Sequence, residues 1–253
     1  MVWSPNFMSL KITSTRNTTG EIYERYNEIS CRPTVKDHKA KEKICKSFQR
    51  SLKHWLPIDR SLKILDVACG EGALLTFLKE KGYKNLSGFD ISEQNVAICH
   101  ELGLTFVQKF NAEQLNQFRD AEKYDLIFAL DILEHLPKQS ASKFIKQIRE
   151  KLKPNGCLVI QTPNMGSIFS CLCRYNDLTH EFGVTEHSLL HLLLLGGFDA
   201  NKVEIKPQWS ASTILGRFKE TYLCLLHQLI FIAEGAGRPR IPTKNLLARA
   251  YRS

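Results

Sequence analysis

Residues 64–75 read ILDVACGEGALL, and this stretch decides the fold. A short apolar run ends at Asp66, Gly70 and Gly72 follow it, and a helical pattern begins at Ala73. Two glycines after a strand let the backbone turn tightly and approach a ligand closely, and the helix that follows points its N-terminus at that ligand. The stretch therefore predicts a strand, a ligand-binding turn and a helix.

An acidic residue ends the next predicted strand. Residues 86–90 form that strand, and its last residue, Asp90, lies 18 residues beyond Gly72. A carboxylate in this position can accept hydrogen bonds from both hydroxyls of a ribose. Folds that bind nicotinamide dinucleotides share this feature, but their G-x-G-x-x-G fingerprint requires glycine where this chain has Leu75.

Predicted strands and helices alternate along the rest of the chain. The strands are predicted at residues 63–68, 86–90, 104–108, 124–130, 157–161, 202–206 and 246–252. This alternation predicts an α/β fold, a Rossmann-like, seven-stranded, mostly parallel sheet with helices on both faces.

The chain divides into three predicted regions. Residues 1–60 form an N-terminal helical lid, with a helical pattern over 21–55, and residues 61–165 form the cofactor-binding core. Residues 166–253 supply an insertion after strand five and the closing strands of the same domain. In open α/β sheets the ligand lies at the carboxyl ends of the strands, so this insertion is expected to wall the ligand pocket.

The chain resembles class I S-adenosylmethionine-dependent methyltransferases over about residues 63–161. Five segments follow in the family's order: ILDVACGEGALL, GFDIS, FNAEQL, YDLIFALDILEHL and LKPNGCLVIQTPN. The resemblance implies that S-adenosyl-L-methionine is the cofactor. Asp66, Gly70 and Gly72 are implied to surround its methionine part and Asp90 to hold its ribose. The family commonly has D-x-G-x-G-x-G, and Ala68 stands at the first glycine position.

The resemblance also assigns the adenine side of the cofactor site. Ile91 is implied to pack on the adenine, with Asn111 and Ala112 at the adenine edge. The family often has aspartate where this chain has Asn111. Asp131 and Ile132 follow strand four and are implied to border both the cofactor and the acceptor.

Two histidines are candidate general bases, which a hydroxyl acceptor would benefit from. His180 lies in the insertion, three residues after Asp177, and an aspartate so placed can orient an imidazole. The alternative is that Thr179 and His180 only hold the loop. His135 lies just past strand four, and its alternative is a structural role in the cofactor pocket.

A metal site is a further alternative, although the main prediction includes no metal. The segment from Asp131 to His135 resembles the E-x-x-E-H of ubiquinone-pathway O-methyltransferases, whose side chains can hold a divalent cation. A cation would then lie between Asp131, Glu134 and His135. His187 and His191 stand four residues apart on a leucine-rich helix, but no third ligand is evident in the sequence.

The downstream segments indicate an acceptor class. DLTHEFGVTEHSLLHLLLLGGF at 177–198 and EGAGRPRIPTKNLLARAYR at 234–252 resemble methyltransferases encoded with capsule and O-antigen pathways. This resemblance implies methyl transfer to an oxygen of a sugar, a glycan or a phosphorylated sugar precursor in surface-polysaccharide biosynthesis. The alternatives are a ubiquinone-pathway-like small-molecule O-methyltransferase and an RNA or protein methyltransferase. A partner subunit without activity is a third hypothesis.

The net charge of +9 lies outside the core. Residues 1–60 carry +6, residues 166–253 carry +3, and the segment between them is neutral. This distribution predicts that the flanks frame the pocket mouth and that the small-molecule or glycan acceptor is anionic. Nucleic acid is not favoured, because the basic segments lack interleaved aromatic residues and the motif N-P-P-Y is absent after strand four. The sequence leaves the oligomeric state open.

The eight cysteines include no C-x-x-C pair, which favours a reducing, cytoplasmic compartment. The first residues show no secretory signal, and the apolar run near 222–233 is too short to cross a bilayer. The helix predicted at about 223–233 is expected to pack beside the sheet. Its alternative is peripheral contact with a membrane that carries a lipid-linked glycan.

Overall fold

The computed structural model describes residues 34–119, 121–209, 211, 213–235 and 240–253. The first part of the expected N-terminal lid, including the helical pattern over residues 21–33, lies outside the described residues. Arg238 of the basic tail lies outside them as well.

A seven-stranded sheet forms the centre of the fold. Its strands are β1 (Lys63–Val67), β2 (Asn85–Asp90), β3 (Val107–Lys109), β4 (Tyr124–Leu130), β5 (Leu152–Pro163), β6 (Val203–Pro207) and β7 (Asn245–Tyr251). The order is β3-β2-β1-β4-β5-β7-β6, and β7 runs antiparallel to both of its neighbours whereas the other pairs are parallel. The predicted Rossmann-like, mostly parallel sheet is confirmed.

Helices cover both faces of this sheet. They are α1 (His38–Leu52), α2 (Ala73–Glu80), α3 (Glu93–Glu101), α4 (Lys138–Lys151), α5 (Ser170–Tyr175), α6 (Glu186–Leu195) and α7 (Ile214–Ala233). Three 3-10 turns lie at Ala112–Gln117, Leu133–His135 and Ala200–Lys202.

Alternate residues of the buried strands point to opposite faces and build two hydrophobic clusters. Leu65 and Val67 of β1 join the cluster that contains apolar residues of α4 and α6. Ile64 belongs to the opposite face of the sheet and joins the cluster that contains residues of α1, α2 and α3. Because β1 is buried on both faces, it reads as a continuous apolar run rather than an alternating one.

Two predicted strand starts differ from the structure by three or more residues, for local reasons. The third strand begins at Val107 and not at residue 104, because Gly103 takes a φ of +74° and the Leu104 amide donates to Cys99 O at 2.9 Å, which ends α3. The fifth strand begins at Leu152, five residues early, because Leu152 already pairs with Tyr124 before the turn at residues 154–156.

The long helix α7 is different from the prediction in both extent and burial. It begins at Ile214, nine residues before the predicted start, where the Thr213 hydroxyl accepts a hydrogen bond from the Gly216 amide. His227 is its one buried residue, Leu223 and Phe231 are half-buried, and its other large apolar side chains are exposed to solvent. The helix lies against the rest of the molecule through this one side, and the expectation that its apolar residues pack into the core is wrong. No helix in the described part of the chain is long and apolar enough to span a membrane.

Candidate active site

The glycine turn after β1 has the backbone conformation that its sequence predicts. Ala68, Gly70 and Gly72 take φ values of +55°, +54° and +77°. A Cβ at Gly72 would lie 2.6 Å from Leu104 Cδ1 and 2.9 Å from Cys99 Sγ, so this glycine is required by packing. A Cβ at Gly70 would meet no atom within 4 Å, so this side of the turn faces open space. Gly70 is thus the position at which a ligand can approach the backbone.

Asp90 joins this turn to the start of α3. Its Oδ2 accepts a hydrogen bond of 2.8 Å from the Gly70 amide, and its Oδ1 accepts 3.0 Å bonds from the Ser92 amide and Asn95 Nδ2. Burial raises the pKa of Asp90, and these hydrogen bonds oppose that shift. Each carboxylate oxygen has two lone pairs, so Oδ2 can also accept from a ribose hydroxyl beside Gly70.

Asp66 is a buried carboxyl with a different environment. It is 2% exposed, and none of the described residues donates a hydrogen bond to its carboxylate. Burial, and then repulsion by Asp90, raise its pKa well above the ordinary value. Two acidic groups beside an open turn fit a ligand that brings cationic groups, as the ammonium and sulfonium of S-adenosylmethionine do.

The adenine side offers an apolar surface and an amide. Ile91 is 39% exposed although it follows a buried strand, so it can cover the face of a base. Ala112 is buried at the start of a 3-10 turn that Asn111 caps, with Asn111 Oδ1 accepting from the Glu113 amide at 2.9 Å. This cap uses the amide oxygen, so the Nδ2 donor of Asn111 is the group left for a base edge.

Asp131 lies at the end of β4 in a left-handed conformation, with a φ of +54°. Both of its carboxylate oxygens accept from Gln161 Nε2 at 3.0 Å, and its amide donates to the Gln161 carbonyl at 3.0 Å. Ile132 packs partly on the main hydrophobic cluster. Gln161 of β5 thus fixes the position of Asp131.

The structure brings His180 to the adjacent pair Glu134 and His135, although His180 lies 45 residues beyond His135 in the sequence. Each offers one ligand atom, and these three atoms lie within 4.8 Å of one another. Asp131 is not part of this group, so the metal set of Asp131, Glu134 and His135 is not the set that the structure assembles. The insertion after strand five supplies His180 in its place.

Backbone hydrogen bonds hold the insertion against the segment after β4. The amides of Glu181 and Phe182 donate to the Glu134 carbonyl at 2.7 and 3.4 Å. The Arg174 guanidinium donates to the carbonyls of His180 and Glu181. The loop at residues 177–182 is therefore attached to the 3-10 turn that carries Glu134 and His135.

Hydrogen bonds to the Nδ1 atoms fix the tautomers of both histidines. The Cys173 carbonyl lies 2.8 Å from His180 Nδ1, and a carbonyl can only accept, so Nδ1 carries the proton. The Thr179 hydroxyl donates to Asp177 Oδ1 at 2.6 Å and therefore accepts from His135 Nδ1 at 2.8 Å. In the neutral rings the lone pairs consequently lie on the two Nε2 atoms.

His180 Nε2 is buried and has no hydrogen-bond partner among the described residues. The side chain is 8% exposed, and its ring packs edge-on against that of His135 at 4.7 Å between centroids. Buried polar atoms nearly always have a hydrogen-bond partner, so this nitrogen is available to accept a proton or to bind a cation or a ligand group.

Asp177 does not orient His180 in the way that its spacing predicts. The Asp177 Oδ2 atom lies 3.9 Å from His180 Nε2, whereas the Cys173 carbonyl binds Nδ1. Asp177 instead accepts from the amide and hydroxyl of Thr179, and through Thr179 it holds His135. Sequence reasoning missed the roles of Cys173, Gln161 and Arg174. Cys173 and Arg174 act through bonds that involve backbone carbonyls, and Gln161 contacts a residue 30 positions away, so none of them leaves a recognisable sequence pattern.

Known proteins resemble this chain in sequence and in fold. The sequence profile of a family described as "Methyltransferase domain" matches residues 37–204. The chain is 27% identical over 126 residues to a ubiquinone biosynthesis O-methyltransferase of Bradyrhizobium diazoefficiens, with 49% of this chain and 48% of the relative covered. It is 32% identical over 129 residues to the protein of the same name in Bartonella bacilliformis, with 49% and 50% covered. The chain therefore spans about half the length of the curated relatives it matches.

A solved structure extends the likeness to the fold. A SAM-dependent methyltransferase from Archaeoglobus fulgidus superposes with a TM-score of 0.62 at 22% identity, over 84% of this chain and 94% of that one. The family match covers the glycine turn, the Asp90 strand end and the whole Glu134–His135–His180 group. The chain belongs to the methyltransferase-domain family, and it has the fold of class I S-adenosylmethionine-dependent methyltransferases.

Proposed function

We propose that this protein transfers the methyl group of S-adenosylmethionine to a hydroxyl oxygen of a small molecule. The observation that carries the proposal is the unpartnered, buried His180 Nε2 beside His135 and Glu134. The strands β1 and β4 are adjacent and parallel, so the glycine turn after β1 and the Glu134–His135–His180 group after β4 lie at the same edge of the sheet. The names of the curated relatives support transfer to oxygen.

The reaction needs a proton acceptor beside the nucleophilic oxygen. A hydroxyl attacks the methyl carbon, the bond between that carbon and the sulfonium sulfur breaks, and the hydroxyl proton must leave. His180 Nε2 can take this proton, because the Cys173 carbonyl keeps the opposite ring nitrogen protonated. The products are the methyl ether, S-adenosylhomocysteine and a proton.

The same three side chains fit a divalent cation. Two imidazole nitrogens and one carboxylate are a ligand set that zinc and other first-row transition metals accept, and Mg²⁺ prefers oxygen ligands. The Nδ1 atoms of both histidines are hydrogen-bonded to oxygen atoms, as is usual for metal-bound imidazole. A bound cation would lower the pKa of an acceptor hydroxyl. Glu134, His135 and His180 would hold it.

The names of the relatives, rather than the fold, support the acceptor class that we propose. Their names favour a ubiquinone-pathway-like small molecule over the sugar or glycan oxygen that the downstream segments indicate. A catechol, with two adjacent acidic hydroxyls, is the acceptor that we propose. Its hydroxyl can give its proton to His180 Nε2 or, where Glu134, His135 and His180 hold a cation, can be made more acidic by that cation. A nucleotide sugar and an RNA are the competing acceptors, and an anionic acceptor remains a prediction from the charge.

The test measures methyl transfer from labelled S-adenosylmethionine to catechols, nucleotide sugars and RNA. We expect transfer to a catechol, and we expect His180→Ala to lower kcat by about 100-fold or more, which is the usual contribution of a general base. Binding of S-adenosylhomocysteine, measured by calorimetry, should be unchanged. His187→Ala, which removes an exposed histidine of α6, is the matched control.

Two results would contradict the proposal. One is an unchanged rate in His180→Ala, and the other is transfer to RNA but to no small molecule. A metal-dependent reaction is recognised separately, because a chelator would abolish turnover and zinc or cobalt, rather than magnesium, would restore it.

A further inference from the structure

The outer surface of α7 carries a continuous apolar stripe. Its members share exposed fractions between 46% and 80%, and they are Leu215, Phe218, Tyr222, Leu225, Leu229 and Ile232. The next residues on either side of the stripe, Ile214 and Leu226, are exposed and apolar as well. We call this surface the α7 face.

The members of the stripe are alternately three and four residues apart along the whole of α7. This 3.5-residue period is the pattern by which one helix packs along another, since it keeps the same side chains in one seam. A lone surface helix has no need of the pattern. The α7 face therefore has the form of half of a helix–helix contact.

Contacts with the rest of the molecule hold the stripe outward. Glu220 accepts from Arg50 Nη1 at 2.6 Å and from the Ala211 amide at 2.7 Å. His227, seven residues later, is buried and lies 3.1 Å from the Pro242 carbonyl through its Nδ1. These two residues stand on the side of the helix opposite the stripe. The helix is thus fixed to α1 and to the segment before β7, with its apolar face directed away from them.

The area of the α7 face is large for an exposed surface. With about 200 Å² for each fully exposed side chain of this size, the apolar residues of the helix expose on the order of 1,000 Å². The largest apolar patch on a typical monomer is about 300–600 Å². Two such faces in contact would bury on the order of 2,000 Å², which is the size that stable dimers have.

Charge argues for a protein partner over a lipid surface. A helix that rests on a membrane usually carries lysine and arginine along its polar side. The first turns of α7 carry two exposed cations, Arg217 and Lys219, beside the Glu220 that pairs with Arg50. Between Thr221 and Ala233 the helix carries no charged residue. Most of the α7 face therefore lacks the cationic fringe that anionic lipids would attract.

We propose that the α7 face is the interface of a homodimer, in which α7 of one copy packs along α7 of a second copy. A two-fold axis brings the same patch of both copies together, and an uncharged apolar stripe is complementary to itself. The partner is a second copy of this chain, and the interface is independent of the methyl-transfer chemistry.

The test is sedimentation equilibrium of the full chain, with Leu225→Lys as the variant. We expect the parent to have twice the mass of one chain at micromolar concentration and the dissociation constant to rise at least about 30-fold in the variant. Leu225 is 58% exposed, so the change leaves the packed core intact. Leu195→Lys, the same change at a 74% exposed leucine of α6, is the matched control and should remain dimeric.

Other results identify other occupants and overturn the proposal. The proposal is overturned by a parent chain that stays monomeric, or by a dimer that Leu225→Lys does not weaken. Cosedimentation of a monomer with vesicles of phosphatidylcholine and phosphatidylglycerol, lost in Leu225→Lys, would assign the face to lipid. The mass measurement does not depend on turnover. A monomeric parent would therefore contradict the dimer without contradicting the proposed function, and an inactive dimer would contradict the proposed function without contradicting the interface.

Discussion

At the scale of single residues, the cofactor site combines groups that stability alone would not select. Asp66 is buried without a hydrogen-bond donor among the described residues, and Asp90 lies close enough to repel it. Ala68 and Asp131 take left-handed conformations that cost about 1–2 kcal/mol each for a residue other than glycine. Strain of this kind persists where the surrounding structure holds it and is common at ligand sites.

We predict that Asp66→Asn makes the cofactor-free protein more stable near neutral pH while weakening S-adenosylmethionine binding. Because burial raises the pKa of Asp66, its contribution to the free energy of unfolding is present at low pH and is lost as pH rises through the raised pKa. The loss of a partner for a cationic group should weaken binding by about 10- to 100-fold. Denaturant unfolding across the acid to neutral range and calorimetry measure the two effects.

The pH dependence of the stability difference between the variant and the parent is an internal control for this prediction. The stability advantage of the variant should shrink as pH falls, because the carboxyl of the parent becomes protonated and neutral. A variant that is less stable than the parent at every pH, with unchanged cofactor affinity, would contradict the assignment of Asp66.

The two glycines of the turn should respond differently to alanine. Gly72→Ala places a methyl group 2.6 Å from Leu104 Cδ1, so we expect a loss of about 2–5 kcal/mol in unfolding free energy. Gly70→Ala projects into open space, so it should lose only about 1–2 kcal/mol from its positive φ and should mainly reduce cofactor affinity. Urea unfolding and calorimetry separate the two.

Gly82→Ala is the control for this pair. Gly82 also has a positive φ and open space around its Cα, but it follows α2, away from the turn. It should share the stability loss of Gly70→Ala and keep full cofactor affinity. Equal cofactor affinity in Gly70→Ala and Gly82→Ala would show that Gly70 does not face the ligand.

At the scale of elements, the sequence predicts the strands, turns and helices that neighbouring residues form, but it does not predict contacts between residues that are distant in the chain. The strand, turn and helix at residues 63–80 form from neighbours in the chain, and the acid at the end of β2 stands at a fixed topological position. The core of the fold could therefore be predicted, and the assignment of the cofactor residues stays a prediction. The start of the third strand was missed because Leu104, which fits a strand pattern, is bound to the end of α3 next to Gly103.

The acceptor half of the site could not be predicted in the same way. His180 reaches Glu134 and His135 because main-chain amides of the insertion bind the Glu134 carbonyl, and main-chain contacts carry no sequence signal. The apolar character of α7 was also visible in the sequence, but hydrophobicity does not tell whether a surface meets the core or a second molecule.

The loop that carries His180 should act on turnover through Thr179. Thr179→Val preserves volume but removes the hydroxyl that links His135 Nδ1 to Asp177, so His135 loses the partner that fixes its tautomer. We expect kcat to fall by about 10- to 100-fold, the usual effect of removing such a partner, with cofactor affinity unchanged. Steady-state kinetics and calorimetry measure these quantities.

Thr243→Val is the matched control for this prediction. It removes a buried hydroxyl that donates to the Asn245 carbonyl at 2.8 Å at the start of β7. It should reduce stability to a similar degree without a change in kcat. An equal fall of kcat in both variants would mean that Thr179 acts through folding alone.

At the scale of the whole molecule, part of the basic excess has a structural use. Arg50 pairs with Glu220 and so connects α1 to α7. Lys206 lies 3.7 Å above the centre of the Trp55 ring, and Arg249 lies 5.1 Å from it. Burial lowers the pKa of Lys206. These cations stabilise the contact between the flanks and the sheet, and the anionic acceptor stays a prediction.

Cofactor binding should stabilise the entire domain. S-adenosylhomocysteine at about 100 times its dissociation constant adds about 2.7 kcal/mol to the free energy of unfolding. For a domain of this size we expect Tm to rise by about 5–10 °C. Asp90→Ala removes the carboxylate assigned to the ribose and should lose most of this rise in differential scanning calorimetry. Asp199→Ala, which removes a remote helix cap, should lower Tm yet keep the rise.

The attachment of the insertion to the Glu134 carbonyl has a consequence for how this protein can change over generations. The bonds from the amides of residues 181 and 182 use atoms that nearly every amino acid possesses. Side chains of the loop can therefore be exchanged without detaching it, while the cofactor turn stays untouched. A lineage built this way can acquire new acceptors by altering one loop, and His180, which we propose as the base, would change together with that loop.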